Sequence, residues 1–359
     1  MEPISRHKFQ AVYDYLVDGI ESGRYQPALR LPSERNLAEE LEVNVSTVRR
    51  AFRDLVGSGV IEKRVGDGTY LAGIRDATCI NIVISDYQGE FQEEIAELAQ
   101  AECDRQKLRC RIIRLGSREA SMFVRTAIQL RQPSLILGDG LLGQATIQEI
   151  ASAAWLFAVL ANRLDQKGIP SVIGDDNRGI RMLTDHLQTL GHRRIALLHN
   201  NSGHPIENIQ IAVWRTAAGE RSPELRAGVP SGSHPVEYAF QAIARALARR
   251  ERFSAVICLN DELAKGALAA FAEHGIRVPR QVSVVSIGDT PFCRNSDPPL
   301  SALNPNLGEH IRQGLELLAR NRLRSAAPEL LRLVEPELVI RKSDSSILPM
   351  PQLIQGVHA

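Results

Sequence analysis

Long apolar runs, paired cysteines and an excess of charge of one sign are all missing from this sequence of 359 residues. No stretch approaches the 18 apolar residues of a membrane-spanning helix, and the N-terminus lacks the apolar segment of a secretory signal. The five cysteines are scattered without a CxxC pair, which argues against a disulfide scaffold or zinc ribbon and favours reduced thiols in the cytoplasm. With 43 Lys and Arg against 42 Asp and Glu, a nucleic-acid site must be a local patch.

The composition that remains is typical of a globular protein, with 44% apolar and 24% charged residues. The length predicts two domains or three. Residues 1–72 predict a helical unit closed by a hairpin, and residues 73–78 predict a polar linker to residues 79–344. Residues 345–359 lack periodicity and predict a loose tail.

The N-terminal unit has the pattern of three helices and a hairpin. The first helix is predicted by apolar residues at spacings of three and four, which are Phe9, Val12, Tyr13, Leu16 and Ile20. Gly23 would end it, and Ser33 is a good N-cap for the second helix. A turn then leads to a third helix that starts at Asn44, and Gly66-Asp67-Gly68 indicates the hairpin.

Two short helices joined by a tight turn are typical of a DNA-binding helix-turn-helix. The outward-facing residues near the start of the third helix are polar or basic: Asn44, Ser46, Thr47, Arg49 and Arg50. Residues 43–75 hold six Lys and Arg against three acids, and Lys63 and Arg64 flank the hairpin. Such side chains can contact phosphates and base edges, although a helical bundle with solvated arginines would show the same pattern.

From Cys79 onward the sequence alternates between strand-like and helical stretches, which predicts a doubly wound α/β fold in two lobes. The predicted strands are 80–85, 135–137, 156–160, 171–173, 195–198, 255–259, 283–287 and 338–340. Residues 218–235 are rich in Pro, Gly and Ser and predict a surface loop.

One pattern favours an enzyme. A strand-like stretch leads into G-x-G-x-x-G at residues 138–143, and Asp165 follows at the distance of a dinucleotide-binding fingerprint. An NAD-dependent oxidoreductase therefore stays as an alternative, although a lone G-x-G-x-x-G is a weak signal. The dispersed histidines predict no metal site, and no catalytic residue or cofactor is predicted.

Residues 28–73 resemble the winged helix-turn-helix of the GntR family. The motifs that carry the resemblance are LPSER at 31–35, VSTVRRA at 45–51 and GDGT at 66–69. It implies that Ser33 and Arg35 lie near the DNA backbone, and that Ser46, Thr47 and Arg49 meet DNA from the recognition helix. The wing tip would lie at residues 66–69, with Gly66 and Gly68. Val45 stands where the family often has a base-reading Arg.

Residues 80–342 resemble the LacI/GalR regulators, most specifically in LGHRRIALL at 190–198 and LNDELAKGAL at 259–268. This resemblance implies a type I periplasmic-binding-protein-like fold with a ligand cleft at the carboxyl ends of the strands. Lobe 1 would comprise residues 79–173 and 291–321, and lobe 2 residues 174–290 and 322–344. Crossovers would lie near Gly174, Pro291 and Asn321. A GntR-like head on a LacI-like body resembles the arabinose-repressor type of regulator.

The same resemblance implies a set of effector-binding positions. These are Asp86, Phe91, Asn162, Gln210, His234, Asn260 and Asp289. Gln210 stands where the family usually has Arg, and Gly288-Asp289 replaces the usual Asp-Asp. The loss of one charge of each sign predicts a ligand other than the commonest hexoses.

Taken together, the sequence predicts a cytoplasmic, ligand-responsive transcription factor. It would be a homodimeric repressor that binds an inverted-repeat operator in double-stranded DNA and a small polar effector, most simply a carbohydrate. The two alternatives are the oxidoreductase and a sugar-binding protein without a regulatory role.

Overall fold

The structure is a computed structural model that describes most of the chain. The described residues are 9, 11–16, 19, 24–25, 30–57, 61–64, 66–71, 79–87, 89–137, 140–230, 233–323 and 329–347. They fall into two compact units. The first unit draws on residues 1–88, 95–173 and 308–332, and the second on residues 89–94, 174–307 and 333–359.

The N-terminal part of the first unit, here called the head, is a winged helix-turn-helix. Its elements are α1 (Glu34–Glu40), α2 (Val45–Gly57), β1 (Ile61–Arg64) and β2 (Gly68–Leu71). Ser33 caps α1 as predicted, since its Oγ accepts a hydrogen bond from the Asn36 N–H at 3.1 Å. β1 and β2 pair antiparallel to form the wing.

The head has an apolar core of its own. Leu37 of α1 packs there with Val48, Phe52 and Leu55 of α2, and all four side chains are buried. Residues 9 and 11–16 are helical, as the spacing of their apolar residues predicts, and Val12 and Leu16 are buried in the same core. Ile20, Gly23 and the predicted linker lie outside the described residues.

After residue 78, strands and helices alternate. The elements, in chain order, are β3 (Cys79–Ser85), α3 (Glu90–Arg105), β4 (Arg109–Leu115), α4 (Ser117–Gln129), β5 (Ser134–Leu137), α5 (Gln144–Ser152), β6 (Phe157–Leu160), β7 (Ser171–Gly174), α6 (Asp176–Thr189), β8 (Ile195–His199), α7 (Pro205–Ala218), β9 (Glu224–Arg226), α8 (Pro235–Ala248), β10 (Ala255–Cys258), α9 (Asp261–Glu273), β11 (Ser283–Ile287), α10 (Pro291–Asn295), β12 (Ser301–Asn304), α11 (Leu307–Leu323), β13 (Leu331–Val334) and β14 (Glu337–Val339).

These strands form two six-stranded sheets. The first sheet has the order β13–β7–β6–β5–β3–β4, and the second has the order β14–β12–β11–β10–β8–β9. The pairs from β4 to β7 and from β9 to β12 are parallel, whereas β14 pairs antiparallel with β12. Every residue of β5, β6, β8 and β10 is buried, as expected for parallel strands covered on both faces. The predicted doubly wound α/β fold is confirmed.

Apart from residues 89–94, which belong to the second unit, the chain passes between the two units at 173/174, 307/308 and 332/333. The first passage agrees with the expected crossover at Gly174, but the other two differ from those expected near Pro291 and Asn321. One reason is β12, which pairs with β11 and so keeps residues 291–307 with the second sheet. The other is β13, which lies next to β7 and so keeps the chain with the first sheet beyond Asn321.

Two stretches predicted to be irregular are ordered. The predicted loop at 218–235 contains β9, which pairs parallel with β8. The predicted tail begins with bound residues, because the Ser345 N–H donates to Ser283 Oγ at 3.1 Å and the Ile347 N–H donates to the Leu190 carbonyl at 2.9 Å. Residues 348–359 lie outside the described part. Among the helices that the structure describes, none combines the length and apolarity needed to cross a membrane.

Candidate DNA-binding and effector sites

The recognition helix α2 begins one residue later than predicted. Asn44 precedes it, and its Oδ1 accepts hydrogen bonds from the Ser46 N–H at 2.9 Å and the Ser46 hydroxyl at 2.8 Å. This is an N-cap, so the side-chain oxygen of Asn44 is already used in holding the start of the helix. Ser46 is exposed and Thr47 is half-buried, and both stand in the first turn of α2. Free N–H groups and the helix dipole favour anions at this end.

Glu34, which the sequence analysis did not single out, joins the recognition helix to the wing. Its Oε2 accepts a hydrogen bond from Arg49 Nε at 2.9 Å, and its Oε1 accepts one from Lys63 Nζ at 2.7 Å. Partial burial raises the pKa of the Glu34 carboxyl, but the hydrogen bonds from Lys63 and Arg49 outweigh it, and the pKa lies below its usual range. Arg49 is 59% exposed, so its guanidinium is accessible to a DNA partner while Glu34 fixes its orientation.

Two of the predicted DNA-binding arginines stack on aromatic rings within the head. The Arg50 guanidinium carbon lies 4.7 Å from the centre of the Phe9 ring, and that of Arg64 lies 4.1 Å from the centre of the Tyr70 ring. Such cation–π contacts orient a guanidinium while leaving its edge for a further partner. Arg35 is exposed on α1, close along the chain to the capping residue Ser33.

The wing tip has the backbone that its glycines predict. Gly66 and Gly68 have φ values of +77° and +135°, a region that side-chain-bearing residues rarely adopt. A Cβ on Gly68 would also lie 2.3 Å from Arg30 Nε. The Leu31 N–H donates to the Thr69 carbonyl at 2.8 Å, so the wing is fastened to the segment that leads into α1.

In the first unit, the predicted effector residues follow buried strands. Asp86 comes directly after β3 and is exposed, and its N–H donates to the Leu115 carbonyl at 3.0 Å. Asn162 follows β6 and is half-buried. Both therefore lie at the carboxyl ends of parallel strands, where α/β sheets bind ligands.

In the second unit, Gln210 is buried on α7 and its Nε2 donates to Asp176 Oδ1 at 3.0 Å. Asp176 opens α6, and burial raises the pKa of its carboxyl to about 6, helped by the neighbouring Asp175 and opposed by the hydrogen bond from Gln210. Gln210 thus serves a carboxylate of its own unit. Gln210 stands where the family usually has an arginine. The desolvated Asp176 carboxylate is therefore paired here with a neutral amide in place of a cation.

Asn260 and Asp289 also have partners within the second unit. Asn260 Oδ1 accepts a hydrogen bond from the Leu263 N–H at 2.8 Å and caps α9. Asp289 is only 4% exposed, and its carboxylate lies 2.6 Å from Arg341 and accepts a hydrogen bond from Asn304 at 3.1 Å. The expected free acceptor at Asp289 is therefore an internal ion pair.

The departure at Gly288 has a physical reason. Gly288 has φ +145°, and a Cβ there would lie 2.5 Å from Asp261 Oδ2. Asp261 is buried and accepts hydrogen bonds from the Ser286 hydroxyl and from the Thr290 N–H. A second aspartate at 288 would therefore be both sterically blocked and electrostatically disfavoured in this backbone.

The remaining predicted effector residues lie at helix starts in the second unit. Phe91 is half-buried in the first turn of α3, and His234 is exposed directly before α8. His234 is the N-cap residue of α8, but its side chain makes no capping hydrogen bond there.

A buried network of a histidine and two glutamates lies at the end of β8 and was not predicted from the sequence. His199 is 1% exposed, with Nε2 3.2 Å from Glu224 and Nδ1 3.5 Å from Glu207. Glu207 also accepts hydrogen bonds from Asn201 and Ser202. Burial raises the pKa of Glu207, but the hydrogen bonds from His199 and Ser202 lower it by more, so that the pKa falls to about 2. These residues hold the loop that follows β8.

The glycine motif at 138–143 joins β5 to α5. Gly138 lies outside the described residues, Gly140 has φ +70°, and Gly143 is the N-cap residue of α5. A strand, a glycine loop and a helix thus follow one another as in a dinucleotide site. Among the described residues, no group of three or more His, Cys, Asp or Glu side chains forms a candidate metal site.

Comparisons with known proteins match the two parts separately. Residues 8–71 match the family model "Bacterial regulatory proteins, gntR family", and residues 184–343 match "Periplasmic binding protein-like domain". The arabinose metabolism transcriptional repressor of Geobacillus stearothermophilus is 25% identical over 371 residues, covering 95% of this chain and 98% of that protein. The regulator GalR of Escherichia coli (strain K12) is 31% identical over 197 residues, which cover 52% of this chain and 53% of that protein.

Solved structures agree in fold. A LacI family transcriptional regulator from Enterococcus faecium with bound ribose has a TM-score of 0.63 at 19% identity, covering 75% of this chain and all of that one. The fold and the head together define a DNA-binding transcriptional regulator. More particularly, the chain joins a gntR-family head to a periplasmic-binding-protein-like domain, which confirms both resemblances found in the sequence.

Proposed function

We propose that this regulator is a ligand-responsive repressor that binds an operator as a homodimer and is controlled by a small carbohydrate. The observation that carries the proposal is the pairing of Glu34 with Arg49 and Lys63, which presents the recognition helix and the wing as one basic surface. The full-length similarity to an arabinose metabolism repressor supports repression and a sugar effector.

The DNA-binding surface would consist of the exposed first turn of α2 and the wing tip. Ser46, Thr47 and Arg49 would contact base edges and phosphates, while Arg35 and the wing glycines approach the backbone. A two-fold dimer imposes its symmetry on the DNA, so the operator would be an inverted repeat. Gel-shift titration and footprinting test this, and protection of a single half-site by a monomer would contradict it.

The effector would bind at the carboxyl ends of the strands, where Asp86 and Asn162 offer an acceptor and an amide. Hydroxyl groups of a sugar pair well with such side chains. The second unit has candidate groups of its own, the Asp176–Gln210 pair and the amide nitrogen of Asn260, whereas Asp289 would act indirectly by holding its backbone. Phe91 and His234 remain candidate contacts to the sugar face.

A thermal-shift titration with L-arabinose and D-ribose tests the effector. A ligand at 100 times its dissociation constant stabilises by about 2.7 kcal/mol. We expect one of the two pentoses to raise the melting temperature, and Asp86→Asn to weaken that response. Asp185→Asn is the matched control, because Asp185 is exposed on α6 and outside the proposed contacts. No shift with any sugar of a wider panel would contradict a carbohydrate effector.

We propose further that the chain is not an enzyme and works in the cytoplasm. The similarity to transcriptional regulators supports this over the oxidoreductase reading of the glycine motif. Calorimetry with NAD is the direct test, and Gly143→Ala is the matched variant because a Cβ at Gly143 meets no neighbour within 4 Å. NAD binding that this variant weakens would favour the oxidoreductase.

A further inference from the structure

One helix of the first unit has a side chain in the core of the head. Met122 of α4 is only 8% exposed, and it packs in the same apolar cluster as Val12, Leu16 and Phe52. The other face of α4 packs on the first sheet, where Phe123 and Val124 are buried. α4 thus has two covered faces, one against the sheet and one against the head.

A charge on α4 accompanies this apolar contact. Tyr13 of the head packs against the same cluster, and burial followed by the negative charge of Glu119 raises the pKa of its hydroxyl. Glu119 stands in the first turn of α4, one turn before Met122. Glu119 and Met122 therefore share one face of the helix.

The first turn of α4 also reaches the proposed effector position. A Cβ built on Gly116, the N-cap residue of α4, would lie 2.7 Å from Glu119 Oε2 and 3.2 Å from Asp86 Oδ2. Two carboxylates therefore lie over the same glycine. A ligand hydroxyl that donates to Asp86 would change the repulsion between them and thus the position that Glu119 prefers.

We propose that α4 is a docking platform for the head and couples the effector position at Asp86 to DNA binding. Met122 supplies the apolar contact, and Glu119 supplies a charge that lies close to Asp86 on the same face of α4 as Met122. The docked head keeps its DNA-binding surface displayed, since Ser46 and Arg49 are exposed. Docking therefore sets the position of the head and does not block it. The coupling half of this proposal rests on the proposed effector function, whereas the docking half stands without it.

Hydrogen–deuterium exchange of the full chain tests the docking without any ligand. Met122→Ala shortens the side chain in the head core while leaving α4 helix-compatible. We expect exchange in peptides covering residues 9–16 and 117–129 to rise at least about tenfold, as loss of a buried methionine contact predicts. Tyr13→Ala, on the opposite side of the contact, should raise exchange in α4 as well.

Met182→Ala is the matched control, because Met182 is half-buried against the core of the second sheet. It should leave exchange in the head and α4 unchanged. Unchanged exchange in both segments of Met122→Ala would overturn the docking. A uniform rise that includes the second sheet would overturn it too, because Met122 would then affect global stability only.

The coupling is tested by operator affinity with and without L-arabinose or D-ribose, whichever shifts the melting temperature. In Met122→Ala the sugar should still raise the melting temperature, while most of its effect on operator affinity is lost. A full operator response in this variant would overturn the coupling. If neither pentose shifts the melting temperature of the unaltered chain, the pentose proposal fails, and the exchange experiment still decides the docking.

Discussion

The polar residues of the head and those of the second unit differ in exposure and in their partners. In the head, Arg49 and Lys63 are held by Glu34 yet remain half or more exposed. In the second unit, Gln210, Asn260 and Asp289 are committed to partners in their own unit, and Asp289 is almost fully buried. Substituting an exposed residue of the head should reduce DNA binding, whereas substituting a residue with an internal partner should first reduce the stability of the protein.

The largest effect should follow from Asp289→Ala. The change leaves the Arg341 guanidinium, 16% exposed, without its ion-pair partner, and breaking a buried pair in this way costs about 3–5 kcal/mol. We expect this loss in the free energy of unfolding measured with denaturant. Glu335→Ala, which removes an exposed partner of Arg178, should cost under about 1 kcal/mol. Equal stability of the two variants would show that the Asp289–Arg341 ion pair does not stabilise the fold.

Asp176→Asn should stabilise the protein in a pH-dependent way. The folded pKa of Asp176, about 6, lies above its usual value of 3.8, so the folded protein keeps a proton that the unfolded chain releases. This contribution is present below about pH 4 and is lost as the pH rises to 6. The neutral amide avoids that loss, and we expect a gain on the order of 2 kcal/mol at pH 7.5 and almost none at pH 4. Asp185→Asn on the same helix should show no such pH dependence.

Arg49→Ala should weaken operator binding by about 1–3 kcal/mol if the guanidinium meets a guanine edge. The free energy of unfolding should barely change, because Arg49 itself is 59% exposed and Glu34 keeps Lys63 as a partner. Gel-shift titration at fixed salt measures the first and denaturation the second. Arg53→Ala is the control, since Arg53 is exposed on the same helix but outside the predicted contacts. A loss of stability without a change in operator affinity would contradict the role of Arg49 in DNA binding.

Ser33→Ala should give the smallest effect, a loss of about 1 kcal/mol in stability from the missing N-cap of α1. The same variant should also lower operator affinity if Ser33 contacts the DNA backbone. Ser152→Ala, whose hydroxyl donates to the Glu149 carbonyl at an exposed helix end, should stay within about 0.5 kcal/mol. A change in stability alone would leave Ser33 with a capping role only.

The sequence predicted the head well because its signals are local. The Ser33 cap, the turn before Asn44 and the wing glycines each depend on residues a few positions apart. By contrast, β4 was not predicted from the sequence. Its sequence is RCRIIRL, and its arginines break the apolar run that marks a buried strand, because β4 lies at the edge of the sheet.

Long-range pairs were beyond the sequence for a different reason. Asp289 meets Arg341 across 52 residues, and Gln210 meets Asp176 across 34. The family resemblance implied open hydrogen-bonding groups at these positions. The sheet order places β14 next to β12 and brings Arg341, which follows β14, to Asp289. Gln210 reaches Asp176 because α7 packs against α6.

The place of β13 at the edge of the first sheet has a consequence for synthesis on the ribosome. β7 is complete at residue 174, but β13, its outer neighbour, begins only at Leu331. At about 5–20 residues per second, β7 waits roughly 10–30 seconds for that strand. During that time its unpaired N–H and C=O groups form an open edge, the kind that recruits other nascent chains. Yield of soluble protein should therefore depend on how fast the second half of the message is translated.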